Sequence, residues 1–493
     1  MSREELLDAA KYLRNVRPVD PEEIVEYAGG EHPAVARQIL REEALDLGLC
    51  EREDGTFVPP DDEPLSPGFD GVNAVPGRYL DRLEGLLVER FGRDWGDGES
   101  GDALRTEIRR LKERYYRQRS VEYDYETALG YAIYHLPDYY AAIQYVLHEL
   151  GGRRLLPSTL RVLDVGAGVG GPALGLAEYT EGALVEYHAV EPSAAADVLE
   201  ELLGDAPRNV HSTVHRTTAE AFDPAVVTSH ANGEDSTGSG GEYDLIVFAN
   251  VLSELAEPAA VLTDYLEHLA SDGSAIALAP ADKNTATDLR EIERAAVDGP
   301  DGNEYTVYAP TLRLWPDRTP TNREWSFDRK PDLGVPEIQR RLDEGRRAGT
   351  GGDVGDEDGV RAPATGEFVN VDVQYAYSIL RQDGRRRVEA TASPERFAPL
   401  AESERHVTDR IDCLAVKLSR SLSDSNPLFL LGDGSQSVDH YAVVTRETAL
   451  NRPLLEADYG DVLAFESVLV LWNADEEAYN LVVDEETVID RVR

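Results

Sequence analysis

The sequence predicts an α/β protein: a Rossmann-like parallel sheet in the middle of the chain, a small winged-helix-like module before it and a small β-barrel-like domain after it. Three observations carry this. Between residues 160 and 299, apolar strand-like runs alternate with helical segments, the pattern of repeated βαβ units. Residues 1–60 read as three helices and then a hairpin. Beyond Ala390, short β-like segments separated by turns replace the alternation. The 493 residues exceed what one ordinary core organises, so several domains are expected.

Taken in order, helical periodicity covers residues 4–15, 21–27 and 32–47, with Asp20 as the cap of the second segment and Pro21 at its first helical position. Residues 49–58, turning at Asp54-Gly55, predict the hairpin. Such a module binds nucleic acid, binds protein, or simply packs. Residues 61–118 are a Pro-, Asp- and Gly-rich linker followed by helices at 80–91 and 103–117. The central domain spans 119–385. It opens on a segment rich in tyrosine, Tyr131 to Tyr140, in which Pro137 is expected to start the helix leading to the sheet, because proline breaks a helix interior. The tyrosines either line a substrate cleft or sit in the core with hydroxyls at its edge. Strands follow at 161–165, 184–190, 210–215, 244–249 and 274–279. Residues 229–241, full of Gly, Ser, Asp and Asn, read as a surface insertion. After a further strand at 304–309, residues 310–366 read as an irregular insertion, and 369–380 alternate as a strand. Residues 386–493 form the C-terminal β-rich, OB-like domain, with strands at 413–418, 428–431, 440–444 and 462–472.

Composition bounds the setting. There are 94 acidic against 49 basic residues, a formal charge of −45, and only five of the basic residues are lysine. The acids are spread along the whole chain, which reads as adaptation to molar intracellular salt, where the Debye length shrinks to ~3 Å. Under such screening net charge neither supports nor excludes an RNA partner. No apolar run is long enough for a membrane span, and the N-terminus lacks a signal-peptide layout, so a cytoplasmic protein without a membrane partner is expected. Two cysteines, Cys50 and Cys413, cannot make a disulfide framework or a four-thiolate metal site.

The first strand runs into Asp164-Val165-Gly166-Ala167-Gly168-Val169-Gly170-Gly171-Pro172. Gly166, Gly168 and Gly170 allow a tight turn against which a cofactor can lie, with a helix N-terminus behind it. The spacing of Gly166, Gly168 and Gly171 also fits a dinucleotide loop, and a Rossmann scaffold that binds nothing is a third reading. Asp164, two residues before the first glycine, favours S-adenosylmethionine by accepting hydrogen bonds near the amino group. Glu191, at the end of the second strand, is placed to accept the ribose hydroxyls. Asn250 follows the fourth strand, at the tip facing the transferred methyl, and completes the candidate set. Ser253 and Glu254 either serve the site or cap the next helix. The Asn-Pro-Pro-Tyr signature of exocyclic amino methylation is absent, and no cysteine follows strand four or five. The fold class is therefore that of a class I methyltransferase, with catalytic residues unassigned.

The stretches 131–142, 163–168 and 251–255, then Trp325-Ser326-Phe327, 375–381 and Tyr459-Gly460-Asp461, resemble the small-ribosomal-subunit-associated, methyltransferase-like family known from mitochondrial ribosome assembly. The likeness covers roughly residues 120–470. It implies S-adenosylmethionine as cofactor and the small ribosomal subunit or its RNA as partner, with either methyl transfer or a non-catalytic assembly role. The family places cluster-ligating cysteines after an Ala-Pro pair, in a Cys-Pro and in a Trp-Cys-Phe, where this chain has Ala309-Pro310-Thr311, Trp315-Pro316-Asp317 and Trp325-Ser326-Phe327. One remaining thiol, Cys413, cannot hold a cluster that needs four, so no iron–sulfur cluster is expected. The loop is expected to be held by Arg313, Trp315 and Trp325 packing on the C-terminal barrel.

Overall fold

A computed structural model describes residues 3–28, 32–116, 123–225, 242–299, 305–322, 325–347 and 366–492. The surface insertion read at 229–241 and the end of the irregular stretch, 348–365, lie outside the described residues, as does Glu304 at the start of the strand read at 304–309. The chain divides into two compact units, residues 1–247 with 331–373, and 248–330 with 374–493.

The first unit begins with α1 (Arg3–Leu13), α2 (Pro21–Ala28), α3 (Pro33–Glu42), α4 (Ala44–Leu47) and a two-stranded antiparallel hairpin, β1 (Cys50–Glu51) and β2 (Phe57–Val58). The helix read as continuous over 32–47 is broken at Glu43, and Gly48 ends α4 in the left-handed region. Leu6, Ala10, Ile24, Leu40, Leu47 and Phe57 form one buried cluster, so the module has its own core. Then come α5 (Gly77–Phe91), α6 (Gly98–Tyr116) and α7 (Tyr125–Gly151). The parallel sheet of this unit runs β5-β4-β3-β6, built from β3 (Thr159–Val165), β4 (Leu184–Val190), β5 (Val210–His215) and β6 (Tyr243–Ala249), the strand on which the chain passes into the second unit. Helices α8 (Gly171–Tyr179) and α9 (Ala195–Leu203) make the crossovers. The end of β3 and nearly all of β4 are buried, which is why both strands read as apolar runs rather than alternating ones.

Pro137 does not start a helix. It sits inside the 27-residue α7, whose N-cap is Asp124, accepting from Thr127 N at 2.8 Å. Proline removes the donor that Ile133 O, four residues back, would use. Gln339, fully buried on the helix Glu337–Glu344, replaces it: its Nε2 donates to Ile133 O at 2.9 Å and to Tyr134 O at 3.3 Å. Asn370 Nδ2 also donates to Tyr134 O, at 3.1 Å. The stretch read as irregular over 310–366 thus contains a helix whose position is set by its service to α7. Buried Arg105 holds the end of that helix through Leu342 O at 2.8 Å.

The second unit contains α10 (Pro258–Leu266), β7 (Leu269–Pro280), α11 (Lys283–Asp298), β8 (Thr306–Ala309), β9 (Asp328–Arg329) and β10 (Gln374–Arg381). β10 lies antiparallel between β7 and β8, with β9 paired to its start, so the strand read at 369–380 begins later, at Gln374. Buried Arg290 on α11 pairs with Glu293 Oε2 at 2.6 Å, and Ser378 Oγ on β10 donates to the same carboxylate oxygen at 2.6 Å. The remaining strands, β11 (Arg410–Lys417), β12 (Leu428–Gly432), β13 (His440–Val444), β14 (Val462–Asn473), β15 (Ala478–Val483) and β16 (Val488–Val492), form a barrel. Five of them close in the order β11-β12-β13-β15-β14, with β14 returning to β11, and β16 adds to β14. β13 and β15 are parallel and the other barrel pairs antiparallel. Trp315 is buried against Leu414, Val416, Leu430 and Val462, and its Nε1 donates to Asp433 Oδ2 at 2.7 Å, as expected of the loop. Arg313 instead pairs with Asp298 at the end of α11. Trp325 remains 45% exposed, with Nε1 on Ala281 O at 2.7 Å. Both cysteines are free and buried.

Candidate functional site

The loop from β3 to α8 is built from backbone conformations that L side chains rarely adopt. Gly166, Gly168 and Gly170 have φ of 71°, 55° and 92°. Gly166 N donates to Val190 O at 2.8 Å, which anchors the loop to the end of β4. The two following glycines have a different use. A Cβ on Gly171 would approach Leu136 O to 3.0 Å, and one on Gly175 would clash with Tyr140 O, so these positions let α8 lie directly on the α7 backbone. Beside Gly168, by contrast, a Cβ would meet nothing nearer than 4.0 Å.

Asp164 is buried at the end of β3. Its Oδ2 accepts from the Tyr187 hydroxyl on β4, a partner that sequence reasoning missed. Register offers the signal: Val162 pairs with Tyr187 and Asp164 with Ala189, so Tyr187 lies one diagonal step from the carboxylate. Oδ1 is buried with no hydrogen-bond partner among the described residues. Burial pushes the Asp164 carboxyl up to about 7; the Tyr187 hydrogen bond opposes this and the charge of Glu191 adds to it. An unmatched buried carboxylate oxygen is costly unless a donor arrives.

Glu191 follows β4 and is buried. Its Oε2 accepts from Gly168 N at 3.0 Å, while Oε1 accepts from Ser193 N at 2.9 Å and Ser193 Oγ at 2.5 Å. The carboxylate therefore ties the glycine loop to the turn after β4; Oε1 already accepts two hydrogen bonds, and Oε2 retains a second acceptor position. The structure thus brings Asp164, Gly166, Gly168, Gly170 and Glu191 together in the first unit. Asn250 belongs to the second unit, where it takes a left-handed φ of 61° and donates its backbone N–H to Leu278 O at 3.0 Å. Ser253 and Glu254 are exposed on a single 3₁₀ turn, Leu252–Glu254.

A second group lies on the tyrosine-rich segment read from the sequence, joined by His135 and Tyr123, which were not singled out there. Tyr131, His135 and Tyr139 follow one another at four-residue spacing on α7, with ring centroids 4.9 and 5.4 Å apart, the latter pair stacked. Tyr123 continues the column, 5.6 Å from Tyr131. Tyr139 and Tyr140 are buried, whereas Tyr131, Tyr134 and His135 are half-buried, so the column is neither wholly core nor wholly exposed. Among the described residues, no group of three or more His, Cys, Asp or Glu side chains is arranged to hold a metal ion, and no helix is long and apolar enough to cross a membrane.

Residues 163–275 match a methyltransferase domain family, which is the stretch that contains the glycine loop, Asp164 and Glu191. Residues 3–53 and 401–492 match the N-terminal and C-terminal domains of a family of unknown function, DUF8157. Among solved structures, the chain is similar to the sugar N-methyltransferase KedS8 from Streptoalloteichus sp, at 21% identity over 28% of this chain and 47% of that one, with a TM-score of 0.20. It is similar to the plantazolicin methyltransferase BpumL in complex with SAH, at 12% identity over 46% of this chain and 81% of that one, with a TM-score of 0.26. A fibrillarin/Nop5p complex matches at 18% identity over 31% of this chain and 65% of that one, with a TM-score of 0.22. The chain thus spans less than half the length of the sugar N-methyltransferase. No curated protein matches it. The protein carries an α/β methyltransferase domain, and the assignment rests on the family match over 163–275.

Proposed function

We propose that this protein binds S-adenosylmethionine at the β3–α8 loop and acts as a methyltransferase on small-ribosomal-subunit RNA. The observation that carries the cofactor reading is the buried, unpartnered Asp164 Oδ1 beside a glycine loop in left-handed conformation. Asp164 would accept hydrogen bonds from the cofactor's amino group, and Glu191 would use the spare acceptor position on Oε2 for a ribose hydroxyl. Gly166, Gly168 and Gly170 would let the ligand lie against the backbone, with the α8 N-terminus behind it. When bound, the cofactor supplies an electrophilic methyl group on a sulfonium. Enzymes of this kind gain most of their rate by positioning the acceptor. Asn250 enters the proposal on the sequence reading alone.

The RNA partner rests on the family resemblance. It gains support from the two flanking modules: α1 to α4 and a hairpin with a Val19–Phe57 bridge, similar to a winged helix, and a closed barrel in the strand order of an OB-type fold. The domain bounds read from the sequence belong to the same proposal.

Calorimetric titration of S-adenosylmethionine in molar KCl tests the reading. Wild type is expected to bind, and Asp164→Ala with Glu191→Ala to lose binding. Absence of binding at millimolar ligand would overturn it and leave a non-catalytic ribosome-assembly scaffold as the better account.

A further inference from the structure

Asp138, one turn beyond His135's neighbour Tyr134 on α7, sits among donors. Asn370 Nδ2 donates to its Oδ2 at 2.9 Å and to Tyr134 O at 3.1 Å, which uses both amide hydrogens. Asn370 Nδ2 also lies 3.4 Å from His135 Nδ1, and no hydrogen remains for that approach. With Asp138 ionised, His135 Nδ1 is the protonated nitrogen, facing Asp138 Oδ2 at 3.5 Å; burial pushes the Asp138 carboxyl up, and the His135 and Asn370 contacts oppose this. Nε2 is left with its lone pair and has no hydrogen bond among the described residues, on a side chain that is 25% exposed. A carboxylate that fixes the tautomer of a histidine and faces the imidazolium it forms is the arrangement of a positioned general base.

The place of this base in the fold gives it meaning. Leu136, the next residue, and Tyr139 flank Gly171, the first residue of α8 after the cofactor loop. At the other end of the aromatic column, Tyr123 O accepts from Ala194 N at 3.3 Å, three residues after Glu191. The column Tyr123, Tyr131, His135 and Tyr139 is thus tied to both segments that would hold the methyl donor. A planar ring can stack on its half-exposed members.

We propose that His135 is the proton acceptor of the methyl-transfer site, and that the acceptor is a planar heteroaromatic ring bearing a ring N–H, the class to which uracil and guanine belong. This rests on the cofactor reading above. The lone pair of such a nitrogen is delocalised, so its proton must leave as the bond to carbon forms. The proton passes to His135 Nε2, and the N–H electron pair becomes the N–C bond, while the former C–S pair stays on the donor's sulfur. Asp138 and Asn370 are positioning residues: they hold the tautomer and touch neither ring nor donor.

The test uses the full chain labelled with nitrogen-15 histidine, with the His135 resonances assigned by their loss in His135→Gln. Expected are an Nδ1-protonated neutral ring in wild type and a mixed tautomer in Asp138→Ala. In protein saturated with S-adenosylhomocysteine, uridine shifts the Nε2 resonance as its N3–H donates, and 3-methyluridine does not. Calorimetric affinity for S-adenosylmethionine is unchanged in His135→Gln, which separates this proposal from the cofactor reading. An Nε2-protonated His135, or the same response to uridine and 3-methyluridine, including none, overturns it. Failure of wild type to bind S-adenosylmethionine overturns both readings together.

Discussion

The proline inside α7 offers a quantitative check on how the two segments of the first unit support each other. Gln339→Ala would remove the donor to Ile133 O, the weaker contact to Tyr134 O, and the Oε1 acceptor that receives Asn370 N at 3.0 Å. Ile133 O has no helical donor to fall back on, because residue 137 is proline. A buried carbonyl left unsatisfied costs ~1–3 kcal/mol, and with the Asn370 contact also lost the total becomes about 2–4 kcal/mol. Pro137→Ala supplies an N–H at the right place in the helix, so in that background Gln339→Ala costs less. The expected coupling is about 1–2 kcal/mol, a factor of roughly 5–30 in the local opening equilibrium. Hydrogen exchange of peptides covering residues 125–151, in wild type, both single variants and the double variant, measures it. Additivity within ~0.5 kcal/mol would refute the claim that Gln339 substitutes for the missing helix bond.

Other outcomes follow from the same geometry. Because the Asp164 carboxyl titrates at about 7 in the folded chain, above its ordinary 3.8, its contribution to stability is present at low pH and is lost as pH rises through about 7. A cationic amino group needs the ionised form, so S-adenosylmethionine affinity should rise between pH 6 and pH 8, and calorimetry on Asp164→Asn should show that dependence gone. Gly175→Ala forces a Cβ against Tyr140 O and should destabilise by about 1–3 kcal/mol or more, whereas Gly77→Ala, with nothing within 4 Å, should be near neutral; thermal melts compare the two. In the barrel, Lys417 Nζ donates to Leu454 O at 3.0 Å and Ala457 O at 2.6 Å, and burial lowers its pKa from 10.5 to about 8. The unfolded chain then binds more protons between those values, so barrel stability should increase as pH rises from about 8 towards 10.5, and urea titrations of Lys417→Met should lose that slope.

What the sequence by itself determined was local. The alternation of apolar runs and helices between 160 and 299, the glycines of the cofactor loop and the acids at the ends of two successive strands could all be read, because period and turn chemistry act over a few residues. The closed barrel was foreseen only as a series of short strands; its circuit required β14 to pair with both β11 and β15. Tertiary structure alone decided how each local group is satisfied. Asp164 has Tyr187 as its partner because two strands stand in one register. Pro137 stays inside a helix because Gln339, 206 residues from Ile133, supplies a donor. His135 has a defined tautomer because Asn370 spends its hydrogens on Asp138 and Tyr134. A buried polar group must find a partner, but nothing in its neighbourhood along the chain says which distant residue will provide it.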